Sequence, residues 1–444
     1  MGTEPGPVRL LKQRTIWEIE RKGKAVTTRV GERWGKQKQK TVTLGTPDRA
    51  RAKYEELLAA ARADGFRALG EIDPPAPSAR DDRLEAGIRE HRDDPAPYLV
   101  YADWLQSHGS AVGELIVLAH RKKQKQADAL ARTICKLPAG MAEVESRFGL
   151  WRSLTINNTV DHSEASWDPV PMVRALFSSP LCVALEELRL GMFRWDFQDE
   201  PAVIAEAGTH AWARDLERLA VGEVHRHIDM AHHAIGDVGK AITKAFPRLR
   251  ALKLRSGSQD WRGGKESFGF GQLALPKLEE LVIETCAMTT KRIKMLLSAE
   301  LPALHKLEIW FGATSHEQIA KVGAVAPVWD GKTFPKLTHL GLCNSELTTD
   351  FVRLVPASPL AARLEVLDLS KGTLDDNDAR ELAAEAKRFP KLRRLVLDES
   401  YVTPAVLQQV KAAFRGVEVS AKHPKERYDD EDDDDDGRYV SVAE

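Results

Sequence analysis

Cysteine is scarce in this chain: four in 444 residues, at positions 135, 182, 286 and 343. No two of them form a C-x-x-C pair, which excludes a disulfide framework and fits a reducing compartment, so a cytoplasmic location is expected. Long apolar runs are absent as well. None approaches the ~18 residues that a spanning helix requires, and no membrane role is expected. The segment Met1-Gly2-Thr3-Glu4-Pro5-Gly6-Pro7 has no apolar h-region, so no secretory signal is expected either. Motifs that announce chemistry are also missing. Gly263-Gly264-Lys265-Glu266 lacks the first glycine and the hydroxyl of a phosphate-cradling loop, and there is no Gly-x-Ser-x-Gly elbow and no His-Glu-x-x-His pair. The chain is therefore expected to be non-enzymatic, with no catalytic residue, metal or cofactor.

Net charge is the last thing lacking, and its absence is deceptive. The total of −1 comes from 65 basic and 66 acidic side chains. Residues 1–70 hold 16 Lys and Arg against 8 Asp and Glu, whereas residues 425–444 hold 3 against 10. A basic head and an acidic tail flank a body close to neutral, and a vanishing sum does not argue against an electrostatic partner.

What the chain has in quantity is a repeat of the form Leu-x-x-Leu-x-Leu. Its middle apolar residue falls at Leu154, Leu188, Leu219, Leu252, Leu281, Leu307, Leu340, Leu367 and Leu395, at intervals of 26 to 34 residues. Each unit joins a short strand of period two to a stretch of helical period, such as Asp375–Lys387, for which Asp375 or Asp376 is an N-cap and Phe389-Pro390 a stop. One strand and one helix cannot bury their apolar faces alone, whereas stacked copies can. The pattern resembles leucine-rich repeats, with long units similar to the ribonuclease-inhibitor-like subclass. The resemblance covers roughly residues 148–424. It implies an α/β solenoid, a horseshoe with parallel strands on the concave face and helices outside. The family's Asn/Cys ladder position is met by Cys286 and, more weakly, by Ser345, Ser400 and Thr159. The stretch 256–265 between Leu254 and Leu278 reads as an inserted loop, either a binding element or a unit that has lost its helix.

The head, residues 1–70, predicts strands around Trp17–Glu20, Ala25–Val30 and Thr41–Leu44, a basic loop over Gly31–Lys40, and a helix opened by Pro47 that runs to about Ala63. With Gly31 and Gly65-Phe66 in place, this order resembles the WGR domain of bacterial regulators and DNA-dependent poly(ADP-ribose) polymerases. Val30 and Glu32 stand where that family has its Trp and Arg, and Arg33-Trp34-Gly35 is shifted by about four residues. The resemblance implies a nucleic-acid or interdomain contact. Independently of it, Arg29, Arg33, Lys36, Lys38 and Lys40 around the Trp34 indole form a set able to neutralise phosphates while the ring stacks on a base. A solvated hairpin with Trp34 packed on the helix is the plainer reading.

Residues 71–80, with Pro74, Pro75 and Pro77, form a linker. In residues 81–147, Asp93-Asp94-Pro95 marks a cap between two helices. Tyr101-Ala102-Asp103-Trp104-Leu105 with Gly113-Glu114-Leu115-Ile116 resembles a short repeat-companion domain that precedes leucine-rich repeats. A helical cap for the open end of the array is expected from it. His225, His227, His232 and His233 with Asp229 lack metal-ligand spacing and read as a surface cluster. The eight consecutive carboxylates Asp429–Asp436 read as a self-repelling, disordered tail (residues 425–444) that solubilises the chain, binds a basic partner, or covers the head.

The expected function is recognition. Residues flanking the repeat leucines should line the strand face and bind a protein partner: Arg189, Lys253, Arg255, Glu280, Glu284, Glu308, Trp310, Asp368 and Asp398. The second expectation is a nucleic-acid-binding regulator acting through Arg29, Arg33, Trp34, Lys36, Lys38 and Lys40. A third expectation is an adaptor whose partner, a protease or nuclease, supplies the catalysis.

Overall fold

Apolar residues two apart, recurring in phase, can only be buried if successive strands align their leucines. The computed structural model of the chain places them so. It describes residues 8–12, 15–32, 36–138, 140–157, 167–194, 197–223, 233–257, 268–313, 319–427 and 437–442.

The N-terminal region is β-rich. Strands β1 (Val8–Lys12), β2 (Thr15–Lys22), β3 (Ala25–Glu32) and β4 (Gln37–Thr43) precede helix α1 (Pro47–Ala63) and strand β5 (Arg67–Ala68). They form an antiparallel sheet in the order β4-β3-β2-β1-β5. Its core is Leu10, Trp17, Ile19 and Val26 against Ala50, Ala61 and Phe66. Thr46 caps α1 by accepting the Arg49 N–H at 3.2 Å, and Pro47 occupies the first turn, where its missing N–H costs nothing. The basic segment is shorter as a loop than the sequence suggests, because β4 begins at Gln37. Pairing of Val26 with Val42 sets this register, and Lys38 and Lys40 fall opposite Val30 and Thr28.

Four helices follow: α2 (Asp82–Glu90), α3 (Pro95–Ser107), α4 (Ala111–His120) and α5 (Gln124–Ile134). Asp94 caps α3, accepting from Ala96 N, and Tyr98, Tyr101, Ala102 and Leu105 are buried. Asp103 lies on the exposed side of that helix.

The rest of the chain is a large, mostly parallel sheet with helices. Its elements run β6 (Ala142–Arg147), β7 (Leu150–Ile156), α6 (Val170–Phe177), β8 (Glu187–Leu190), α7 (Glu200–Ala207), β9 (Arg218–Val221), β10 (Gly236–Asp237), α8 (Gly239–Ala245), β11 (Ala251–Ser256), β12 (Phe268–Gly269), β13 (Glu280–Thr285) and α9 (Thr290–Leu297). They continue with β14 (Lys306–Gly312), α10 (Val322–Val325), β15 (His339–Ser345), α11 (Thr348–Leu354), β16 (Val366–Asp368), α12 (Asp376–Ala384), β17 (Arg394–Val396), α13 (Pro404–Ala413) and β18 (Glu418–Ser420). Among the described residues, eleven strands pair in the order β18-β17-β16-β15-β14-β13-β11-β9-β8-β7-β6, while β10 and β12 make a separate pair.

Leu154, Leu188, Leu219, Leu252, Leu281, Leu307, Leu340, Leu367 and Leu395 lie in one unbroken cross-strand row, and Val419 extends it. All nine leucines are at most 2% exposed. The rule that a one-residue slip would expose every leucine explains why this register holds across so many strands. Asp375 caps α12 in a reciprocal capping box with Asp378. The N-terminal edge is closed by β6, which pairs antiparallel with β7. The helical segment is tied to the array beyond it: Arg89 meets Asp215 at 2.8 Å, and Arg92 reaches Glu217 and donates to the Asp215 carbonyl at 2.5 Å. A cavity of about 650 Å³ lies at this junction, and Arg248 also closes on Asp215 at 2.5 Å there.

Candidate functional site

Strand alternation sends the leucines inward and their neighbours to the opposite face of the sheet. In β11, for example, Leu252 and Leu254 are buried, whereas Lys253 and Arg255 are partly exposed. In-register pairing therefore builds a second row: Arg189, Ala220, Lys253, Val282, Glu308, Gly341, Asp368 and Val396. Glu280 stands in the row beside it, between Ala251 and Lys306, and Glu284 pairs across from Arg255. Gly341 leaves room for a neighbour: a Cβ there would come within 2.9 Å of the Glu308 Cγ.

Over β8–β13 this face is a chain of alternating charges. Arg189 bonds Glu187 at 2.7 Å and approaches Glu223 at 3.5 Å. Lys253 lies 3.2 Å from Glu223 and 3.1 Å from Glu284, and Glu284 also meets Arg255 at 3.4 Å. Burial pulls the Lys253 ammonium down, but Glu284 and Glu223 outweigh it and hold its pKa above the ordinary value. Glu280 pairs with Lys306 at 3.5 Å.

Over β14–β17 the face is built differently. Burial raises the Glu308 carboxyl, opposed by the Trp310 Nε1–H that donates to Glu308 at 2.9 Å. Trp310 is only 9% exposed and packs with Cys286 and Cys343. Gly312, with φ +81°, lets the end of β14 press against the Cys286 carbonyl, where a Cβ would lie 1.6 Å away. Asp368 accepts from Ser370 N at 2.9 Å. Asp398 accepts from Ser420 Oγ at 2.6 Å and Lys422 N at 2.7 Å, fastening the last turn of the sheet. The Lys371 ammonium sits 5.5 Å from the Trp310 ring centre and pairs with Glu399.

Two groups have no place in the sequence reading: Glu187 and Glu223 neutralise the basic half, and Glu223 falls just beyond the Leu-x-Leu window. A third departs from it: residues 437–442 belong to the stretch 425–444 read as a disordered tail, yet they lie on the array at Asn344, Lys371, Thr373 and Tyr401. Its signal was the alternation Arg438-Tyr439-Val440-Ser441-Val442 after the acidic run. The acidic block 429–436 itself lies outside the described residues.

In the head, Lys36, Lys38 and Lys40 are exposed, while Arg29 pairs with Glu18 and donates to Gln39 at 3.0 Å. Arg33 and Trp34 lie outside the described residues, as do His225, His227, Asp229 and His232 and most of the 256–265 stretch. His233 is buried 3.0 Å from Glu200. Among the described residues, no group of three or more His, Cys, Asp or Glu side chains is placed to hold a metal ion, and no helix is long and apolar enough to cross a membrane.

No family model and no curated protein matches the chain. Among solved structures, it is similar to the crystal structure of a protein from Bacteroides fragilis, a target of the Northeast Structural Genomics Consortium. The two share 14% identity over 99% of each chain, with a TM-score of 0.56. At that identity the likeness is one of fold alone: an α/β chain with a large, mostly parallel sheet.

Proposed function

We propose that this chain is a non-enzymatic recognition protein, a leucine-rich-repeat solenoid whose concave strand face binds a protein partner while the WGR-like head adds a contact. The observation that supports it best is the cross-strand row Arg189–Lys253–Glu308–Asp368, a line of charged side chains held at fixed strand spacing on the face opposite the leucines. Such a line sets register and orientation for a partner of complementary charge. The buried Trp310 at its acidic end is an anchor of the kind that carries binding energy.

The test is capture from a native extract by the full chain, compared with a Lys253→Glu, Arg255→Glu, Trp310→Ala variant. Loss of a captured protein is expected, and retention of every one overturns the reading.

The exposed ammonium groups of Lys36, Lys38 and Lys40 favour a second reading, a nucleic-acid contact through the head. Each phosphate neutralised contributes roughly −0.9 to the slope of log affinity against log salt for duplex DNA. The triple alanine variant of the full chain should therefore flatten that slope by about 2–3. An anisotropy titration that finds no binding of duplex or single strand at low salt removes this reading.

A further inference from the structure

Residues 437–442 cross the sheet as an extended segment whose backbone is read by side chains. The primary amide of Asn344 pairs with Val442 at two points: Nδ2 donates to the Val442 carbonyl at 2.7 Å, and Oδ1 accepts the Val442 N–H at 2.8 Å. Asn344 is fully buried, with φ +50°, at the end of β15, so the amide is fixed in place. Three residues back along the segment the pattern recurs. The Tyr401 hydroxyl accepts from Tyr439 N at 2.8 Å and bonds the Tyr439 carbonyl at 3.1 Å, and Lys425 also donates to that carbonyl. Between them, Ser441 N donates to the Lys371 carbonyl at 2.9 Å.

The side chains alternate as period two requires. Arg438 turns inward to Asp375 at 3.3 Å and Asp378 at 3.8 Å, and also donates to the Thr373 carbonyl. Val440 is 2% exposed, and Val442 packs against Cys286, Trp310 and Cys343, whereas Tyr439 is 52% exposed. The seat therefore has an acidic pocket for Arg438, a buried position for Val440 and an apolar pocket for Val442, linked by groups that bind any peptide backbone. That is the division of labour in extended-peptide recognition: main-chain bonds hold, alternate pockets select.

We propose that this seat, from Asp375 and Tyr401 to Asn344 and Trp310, is a binding site for an extended segment of a partner protein of the form Arg-x-Val-x-Val. The chain's own residues 437–442 fill it until that segment displaces them. The proposal rests on the reading of the strand face as a partner surface, and it names what that partner must present. Nine residues separate Arg427, itself 3.2 Å from Asp375, from Gly437. A tether that short gives the tail an effective concentration of order mM. A free peptide is thus outcompeted, whereas a partner that also engages the charged row gains enough to exchange.

The experiment uses a fluorescent peptide with the sequence of residues 437–442 and the full chain. In Val440→Asp, Val442→Asp the tail is driven from the seat by charges at its two valine positions, while the sheet is untouched. This variant should bind the peptide about tenfold or more tighter than wild type does. Adding Asn344→Ala should abolish the gain. Because that substitution also touches the fold, the same peptide carrying Asp at its two valine positions serves as the independent arm, and it should not bind. Equal binding by wild type and the tail variant, or no binding by either, overturns the seat. Peptide binding by the variant upholds the seat even if the charge reversals at Lys253 and Arg255 lose no captured protein, an outcome that removes only the broader reading.

Discussion

The two halves of the strand face solve the same problem by different means. A strand face lined with charged side chains must satisfy them or leave them to solvent. Over β8–β13, Glu187, Arg189, Glu223, Lys253, Glu284 and Arg255 satisfy one another in a single network. Over β14–β17 there is an indole beside a carboxylate, a buried asparagine, and the chain's own last described residues laid across them. Mutual pairing leaves these charges neutralised by one another. Coverage by a tethered segment leaves a surface that can be uncovered. If the strand face takes a partner as proposed, selectivity for an extended segment falls to the second half and orientation to the first.

The largest expected effect lies where the halves join. Leu281 is fully buried between Leu252 and Leu307, and Leu281→Ala should cost about 2–5 kcal/mol, read by urea denaturation. Because β13 pairs with β11 and β14 and the disturbance must pass from strand to strand, hydrogen exchange should rise first in β11, β13 and β14 and last in β7 and β17. Uniform loosening of both halves would show that they act as one body, and the comparison would fail.

Next in size is one substitution made on each side. Glu284 is 6% exposed and serves both Lys253 and Arg255. Glu284→Gln leaves two cations with a neutral partner in a partly buried site and should destabilise by about 1–3 kcal/mol. Glu308→Gln should do the opposite. Burial raises the Glu308 pKa in the folded state, so the charged form opposes folding once pH rises above its ordinary range. An amide oxygen still accepts from Trp310 without that charge, so at pH 7 the variant should equal or exceed wild type in denaturation midpoint. Equal losses at the two positions would erase the distinction between the halves.

How much of this was legible beforehand follows from what period can encode. The leucine row was readable residue by residue, because a register shift would turn every leucine outward. The Asp375 cap and the helix opened by Pro47 were readable because caps are local chemistry. The strand β4 was partly mistaken for loop: Gln37-Lys38-Gln39-Lys40 carries no apolar alternation and is held by pairing with β3 rather than by a buried face. An edge strand studded with lysine also blocks further pairing, so its sequence reflects the edge more than the strand. The strands β1 and β6 are not legible in the sequence, since their partners, β2 and β5 for the one and β7 for the other, are chosen by tertiary contact. The nine flanking residues were placed on one surface by period alone, but their partners were not. Glu223 and Asn344 reach that surface from the ends of strands, beyond any alternation. The tail's seat joins residues nearly a hundred positions apart.

An effect confined to acid pH also separates the halves. His339 stands in the row of Lys306 and Val366 on the β14–β17 side, and its pKa is pushed down to about 4, first by burial and then by Lys306. The unfolded imidazole takes its proton near pH 6.5, before the folded one does, so stability declines as pH falls from 6.5 to about 4 and is unaffected above. His339→Gln should flatten that part of the denaturation profile. An unchanged slope would put the acid sensitivity elsewhere on the sheet.

The smallest effect is expected at the start of the basic half. Arg189 bonds Glu187 and approaches Glu223, yet its side chain is 45% exposed. Solvent screens such pairs, and about 0.2–1 kcal/mol is typical of them, shrinking further as salt is added. Arg189→Ala should therefore sit at the low end of that range at low salt and become indistinguishable from wild type near 1 M. Lys253→Ala, with two carboxylate partners and a less exposed side chain, should retain a larger share of its effect in salt. If the two decline in parallel, the charges are independent surface pairs rather than a network. The basic half would then offer a partner separate charges to meet one by one, and orientation would have to come from the peptide seat.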